Sequence, residues 1–230
     1  MKTLDHKVII YDDVCPLCKA YTEGFVQLGW LTPEHRIGFS AAPKSILDSI
    51  DINRARHEIP LYDTQTGETL YGKDALFFII GEEAPVLKPL FRFSLFRVFI
   101  IGLYQIITYN RRIIAGSKKP QTGFDCAPDF NTPYRWLYIA LMSVGSLIIF
   151  INNIQNIDFQ LIMWMSLILV GILRGLFFKG FENKTTYFGH LATVVFIAHC
   201  FIGILGVHPF TLIPIMLLSV YLWWKRLILI

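Results

Sequence analysis

Cys15 and Cys18 stand three apart in Tyr11-Asp12-Asp13-Val14-Cys15-Pro16-Leu17-Cys18, where a β-branched run (Val8, Ile9, Ile10) gives way to a helical pattern. That placement suits redox chemistry. Unpaired backbone N–H groups and the dipole at a helix N-terminus favour a thiolate at Cys15, lowering its pKa and raising its nucleophilicity at neutral pH. Cys18, one turn on, lies within disulfide reach, and Pro16 takes the first helical position, where its missing N–H costs nothing. The same spacing also fits half of a structural zinc site or an inert buried pair. Zinc needs a second Cys or His pair, whereas Cys126 and Cys200 stand alone and the six His are scattered. No metal or other cofactor is expected.

The elements that must position the dithiol follow in order. A strand fits Val8 to Tyr11, then a helix from Cys15 to about Trp30 with Leu17, Tyr21, Phe25 and Leu28 as its apolar stripe. A second strand fits Arg36 to Ser40, a helix opens at Pro43 through Ile46, Leu47 and Ile50, and Ile59 to Tyr62 reads as a third strand. Thr64 to Glu68 is a hairpin turn into Thr69-Leu70-Tyr71, and Gly72 precedes a helix with Ala75, Leu76, Ile79 and Ile80. The order βαβαββα is that of a thioredoxin-like α/β domain. In such folds a proline opening the third strand faces the dithiol, which makes Pro60, with Pro16, a candidate for substrate contact. The Ile59-Pro60 bond fits a cis proline there and equally a trans proline at a strand start.

Three motifs carry a resemblance to a known family: Tyr11-Asp12-x-x-Cys15-Pro16-Leu17-Cys18, Gly72-Lys73-Asp74-Ala75, and Tyr109-Asn110-Arg111-Arg112. Over roughly residues 7–115 the chain resembles the DCC family of thiol-disulfide oxidoreductases, specifically at the first motif and more loosely at the other two. The resemblance implies Cys15 as attacking thiol and Cys18 as resolving thiol. The Cys-Pro-x-Cys form is similar to that of glutaredoxins, with potentials of about −200 to −230 mV. Asp12 matches the motif aspartate, either as a proton carrier for Cys18 or as a turn-forming cap. Where the family commonly has glycine, this chain has Asp13. A second carboxylate beside the dithiol would raise the thiol pKa values, against the helix dipole.

The second half has a different solvent. Hydrophobic residues make up 54% of the chain and mean hydropathy is +0.50, with the excess after Pro133. Four apolar segments, Trp136–Ile151, Phe159–Phe178, Thr186–Gly206 and Pro209–Trp224, approach the ~20 residues that cross a hydrocarbon core of ~30 Å. A water-soluble bundle would need polar outer faces, which these segments lack. Arg135, Lys179, Lys184, Lys225 and Arg226 flank one side of the expected spans, and connections 152–158 and 207–208 carry no Lys or Arg. The positive-inside rule then puts both termini in the cytoplasm, at an inner membrane. The polar N-terminus and short apolar run at Val8 give no secretory signal, so the dithiol is expected in a reducing compartment.

Charge marks off a region between the two. Residues 1–87 hold eight Lys and Arg against thirteen Asp and Glu, whereas 88–133 hold seven against two. There Lys88, Arg92, Arg97, Arg111, Arg112, Lys118 and Lys119 alternate with Phe91, Phe93, Phe96, Phe99 and Tyr104. Such a segment suits an anionic leaflet, or its apolar face closes the first domain. Its place before a membrane span argues against nucleic acid. The expected domains are therefore 1–87 (thioredoxin-like), 88–133 (basic, aromatic, at the membrane surface) and 134–230 (four transmembrane helices). His190 and His199 fall in the third span, where ionisable groups suggest a haem or quinone site, but nine residues apart on nearly opposite faces they do not share one ligand.

Two functions fit these features. The first is a membrane-anchored thiol-disulfide oxidoreductase acting on protein dithiols or disulfides at the cytoplasmic face, with membrane lipid as its other partner. The second is a non-enzymatic subunit or assembly factor of a membrane protein complex, with a thioredoxin-like docking module.

Overall fold

The computed structural model describes residues 4–117, 128–153, 159–206 and 209–227. The chain divides into two compact units, Met1–Asp129 and Phe130–Ile230. The first contains β1 (Lys7–Tyr11), α1 (Pro16–Gln27), β2 (Arg36–Gly38), α2 (Lys44–Leu47), α3 (Ile52–Ala55), β3 (Pro60–Asp63), β4 (Thr69–Tyr71), α4 (Gly72–Glu83), α5 (Lys88–Arg92) and α6 (Ser94–Ala115). The helix expected after Pro43 is two short ones. Asp51 interrupts it, its carboxylate accepting the Arg54 N–H at 3.0 Å as the cap of α3.

The four strands form one mixed sheet in the order β2-β1-β3-β4. β1 runs parallel to β2 and antiparallel to β3, and the β3–β4 hairpin pairs Pro60 with Tyr71. Central β1 is apolar on both faces because both are covered. Ile9 packs with Phe25, Leu61, Ala75 and Ile79 on one side, while Val8 and Ile10 pack with Phe39, Ile50 and Ala55 on the other. No described peptide bond is cis, so Ile59–Pro60 is trans. Pro60 is tolerated as the first residue of β3 because the pairing of β3 with β1 begins only at Leu61, so its missing N–H takes no bond from that ladder.

The stripe of α1 differs from the expected one. Cys18, Thr22 and Phe25 are its buried positions, Leu17 and Tyr21 are partly buried, and Leu28 is 62% exposed. The helix ends at Gln27 and the chain turns at Gly29, which leaves Leu28 outside. Thr22 is tolerated in the core because its hydroxyl donates to the Cys18 carbonyl at 2.7 Å and accepts from Arg36 Nε at 2.9 Å.

Helix α6 packs on α1 and buries Asn110, Arg111 and Ile113. Its contact with α4 is close enough to require glycine at residue 72. Gly72 has φ of +55°, and a Cβ there would lie 2.8 Å from Tyr104 Oη and 3.0 Å from the Glu58 side chain. Leu95, Val98, Phe99, Leu103 and Ile107 remain exposed on α6, an apolar face beside the covered one. Lys118, Lys119 and Cys126 lie outside the described residues.

The second unit is helical: α7 (Thr132–Asn153), α8 (Phe159–Leu176), α9 (Phe181–Leu205) and α10 (Pro209–Leu227). Helices α7, α9 and α10 are long and apolar enough to cross a membrane. The second expected span is shorter: its apolar stretch is Leu161–Leu176, which falls below the length of the others. Helices α5 and α6 would count as a further span only as a broken pair, bent by 95°. Helix α9 packs against α7, α8 and α10 and carries buried positions from Thr185 to Ile202, while α7 and α10 leave Leu141, Val144, Leu147, Ile148, Ile213 and Leu217 exposed. Apolar outer faces of this kind belong in lipid. Close helix approach uses small residues: a Cβ at Gly175 would meet the Tyr187 and Phe188 rings at 2.7 Å.

One buried carboxylate ties the sheet to its hairpin. Asp63, 3% exposed, accepts from Lys7 Nζ and from the N–H groups of Gln65 and Thr66 at 2.8 and 3.1 Å. The Lys7 hydrogen bond holds its carboxyl far below the ordinary carboxylate range, with the two turn N–H groups assisting. A depressed folded pKa gives stability that is fully present above the unfolded value of about 3.9 and is lost as pH falls below it. Asp63→Asn should therefore destabilise the first unit at pH 7 and flatten its stability loss between about pH 5 and pH 2. Denaturant melts of the two proteins across that range check it, and parallel acid limbs would refute it.

Candidate functional site

The dithiol sits where β1 hands over to α1. Asp12 shapes that turn: its Oδ1 accepts the N–H of Val14 at 3.0 Å and of Cys15 at 3.1 Å. Cys15 is the residue before the first turn of α1 and Pro16 occupies the first helical position, as the spacing requires. Both sulfur-bearing residues are buried, Cys15 at 4% exposed and Cys18 at 3%, and both are free thiols. Val14 and Pro16 are exposed, so the surface beside Cys15 is formed by its two neighbours.

Arg111 reaches this turn from α6, and nothing in the local sequence around the cysteines announces it. Its guanidinium, in a side chain 7% exposed as a residue, lies 3.6 Å from Asp12 Oδ2 by one nitrogen and 3.6 Å from Cys18 Sγ by the other. The nitrogen facing Asp12 also donates to the Arg56 carbonyl at 3.3 Å. One buried cation thus serves a carboxylate and a thiol six residues apart in the turn, from a position ninety-three residues beyond Cys18.

These contacts split the two thiols. The Cys18 thiol donates to the Cys15 sulfur and lowers Cys15 to about 6; the Cys18 backbone N–H and the Arg111 charge act in the same direction, against burial and the Asp12 charge. The thiolate form of Cys15 is therefore favoured at pH 7. Cys18, as the donor, is pushed far above the ordinary thiol range, with burial adding to the rise and Arg111 opposing it. The Cys15 thiolate is favoured while Cys18 keeps its proton.

Asp13 behaves differently from the sequence expectation. Its carboxylate accepts from Ser40 Oγ and packs against Gly38, where a Cβ would come within 2.9 Å of the Asp13 Cβ. The carboxylate that raises the thiol pKa values is Asp12. Pro60 is fully buried at the start of β3, and it is its neighbour Ile59 that lines the cavity beside Cys18. That cavity, ≈ 300 Å³, is walled by Leu17, Cys18, Tyr21, Leu76, Tyr104, Ile107, Thr108, Arg111 and His57. His57 Nδ1 and Arg111 Nε have no hydrogen-bond partner among the described residues. Arg111, His57 and Tyr104 were not assigned to the site from sequence. The signal for Arg111 was its place in the third motif, a cation on an otherwise apolar helix. Among the described residues no group of three His, Cys, Asp or Glu is placed to hold a metal ion.

Comparison with protein-family models, curated proteins and solved structures gives no match for this chain. The site therefore rests on its own geometry.

That geometry fixes a pH dependence. Alkylation of Cys15 by iodoacetamide in the reduced protein should rise through an inflection near pH 6. Arg111→Met removes the favourable charge and should move the inflection up toward the ordinary thiol value of about 8.5. It should also destabilise the first unit by roughly 3–5 kcal/mol, since Asp12 is left buried without its cation. An unchanged inflection in a folded Arg111→Met protein would exclude Arg111 from thiolate stabilisation.

Proposed function

We propose that the chain is a membrane-anchored thiol-disulfide oxidoreductase, with a thioredoxin-like first unit that resembles the DCC family and a second unit embedded in an inner membrane. The observation that carries this reading is the placement of the dithiol: Cys15 immediately before the first turn of α1, its N–H held by Asp12 at 3.1 Å, and Cys18 one turn on with the Arg111 guanidinium 3.6 Å from its sulfur. That setting favours a thiolate at Cys15.

In the proposed cycle the Cys15 thiolate attacks a disulfide sulfur of a protein partner, forming a mixed disulfide and expelling the partner's other sulfur as a thiolate. Cys18 then gives up its proton, with the Asp12 carboxylate or the expelled thiolate as acceptor, and attacks the Cys15 sulfur. The partner leaves as a dithiol and Cys15–Cys18 becomes a disulfide. Two electrons from a cytosolic thiol reductant return it to the starting state. Pro16 and Val14 provide the surface on which the partner docks. Both termini lie in the cytoplasm in this reading, and the exposed apolar face of α6 rests on the adjacent leaflet, with the exposed Arg97 at the headgroups.

The burial of both thiols, at 4% and 3% exposed, favours a second reading, a docking subunit whose dithiol is not turned over. One experiment separates the two. Cys18→Ser should trap a covalent, reductant-sensitive complex between Cys15 and a partner in mildly oxidised cells, and the complex should vanish in Cys15→Ser, Cys18→Ser. Full cellular performance of the double variant, with loss of function on deleting residues 130–230, would establish the docking role instead. The topology is checked separately with a C-terminal green fluorescent protein fusion, which should fluoresce if that end is cytoplasmic. A dark fusion alongside an active alkaline phosphatase fusion would place it on the other side.

A further inference from the structure

A second cavity lies within the helical unit, independent of the dithiol. It measures ≈ 490 Å³ and is bordered by α7, α8 and α9, within the range of about 300–1,000 Å³ usual for ligand sites. Along α7 it follows one face from Trp136 to Phe150, about 21 Å of helix at 1.5 Å per residue. Trp136, Leu147, Met165 and Ile172 line it and are exposed, so its mouth is on the apolar outer surface. The shape is that of a groove for a long, thin molecule entering from lipid.

Two of its polar groups are buried and unsatisfied, while a third, Ser143, is exposed at its edge. His199, 4% exposed, has its Nε2 3.2 Å from the indole Nε1 of Trp164, itself 1% exposed. Indole N–H is a donor only, so Nε2 must accept and the neutral ring carries its proton on Nδ1. That Nδ1–H has no partner among the described residues. The Ser146 hydroxyl, 5% exposed and lining the same cavity, has none either. Buried donors of this kind are rare unless something absent from the protein accepts from them. The occupant must therefore bring an acceptor oxygen to an otherwise apolar groove.

Depth selects among such molecules. Ser146 lies seven residues before the end of α7 at Asn153, and His199 six before the end of α9 at Leu205, about 9–11 Å inside each helix. Glycerol esters of phospholipids sit in the interfacial region outside the hydrocarbon core and do not place a carbonyl there. A saturated acyl chain at that depth offers no acceptor. A flat ring carrying a carbonyl does, and Phe150, which lines the cavity with its ring centroid 5.5 Å from that of His199, supplies an aromatic wall.

We propose that this groove binds a lipid-soluble quinone, one ring carbonyl accepting from His199 Nδ1–H and Ser146 Oγ–H and the tail running along α7 toward Trp136. Trp164 is a positioning residue, which fixes the histidine tautomer. No electron transfer is assigned to the site.

The test is equilibrium binding of decylubiquinone to the purified full-length protein in dodecyl maltoside, measured by ultrafiltration against empty micelles. Wild type should bind one molecule per chain saturably. His199→Phe and Ser146→Ala should each weaken binding by about tenfold, the worth of one neutral hydrogen bond. Ala192→Phe, which fills the groove and leaves the His199–Trp164 bond in place, should abolish it. Thermal melts confirm that each variant is folded. Methyl decanoate, with an ester carbonyl and no ring, should fail to displace the quinone. Binding no greater than micelle partition would overturn the proposal, as would wild-type affinity in folded Ala192→Phe or equal displacement by methyl decanoate.

Discussion

A single buried guanidinium organises the first unit. Arg111 is the cation for both Asp12 and Cys18, and it is carried by α6, far along the chain from either. Burying a charge is unfavourable unless it is paired and hydrogen-bonded, so the cost of placing Arg111 there is offset only while the Asp12 turn, the Arg56 carbonyl and the dithiol all hold their positions. The consequence is structural coupling: α6 cannot leave α1 without stranding a carboxylate, and the turn cannot open without stranding the cation. Gly72 enforces the same closeness from the other side, since no side chain fits between α4 and Tyr104.

Local signals in the sequence were enough to place most of the first unit's elements. β1 was legible because three consecutive β-branched residues must be covered on both faces, and α1 because Pro16 pre-sets its first turn. The hairpin was legible from Thr64 to Glu68, although its anchor was not: Asp63 is bonded to Lys7 across the sheet, a pairing that only the register reveals. The error in the α1 stripe has the same origin. Thr22 reads as a surface residue until Arg36 and the Cys18 carbonyl are known to satisfy its hydroxyl. Sequence periodicity ranks side chains by polarity, whereas burial depends on whether a partner is available.

The candidate site was half legible for a related reason. A short spacing exposes the chemistry carried by Cys15 and Cys18, but their environment comes from residues distant in sequence. Asp13, adjacent to the dithiol, turns away to Ser40, while Arg111 supplies the opposing charge. In the membrane-compatible unit, the histidines read as candidates only by their type. What distinguishes them is their partners, Arg226 at 3.2 Å for His190 and the Trp164 indole at 3.2 Å for His199. Neither contact follows from position on the helix.

The charges around the dithiol also bear on how strongly it holds electrons. In the reduced protein two anions, the Asp12 carboxylate and the Cys15 thiolate, share one guanidinium; forming a Cys15–Cys18 disulfide would remove one anion and leave Arg111 and Asp12 as a neutral pair. Arg111 therefore favours the reduced, thiolate form and draws the dithiol toward a more oxidising potential, as thiolate stabilisation does in general. Asp12 acts in the opposite sense, raising both thiols. Because the two side chains are also each other's buried counter-ions, neither effect can be altered without disturbing the turn that places Cys15 at the helix start. Potential and geometry are set by the same pair of residues, which is why the electronic tuning of this site and the docking of α6 form one constraint.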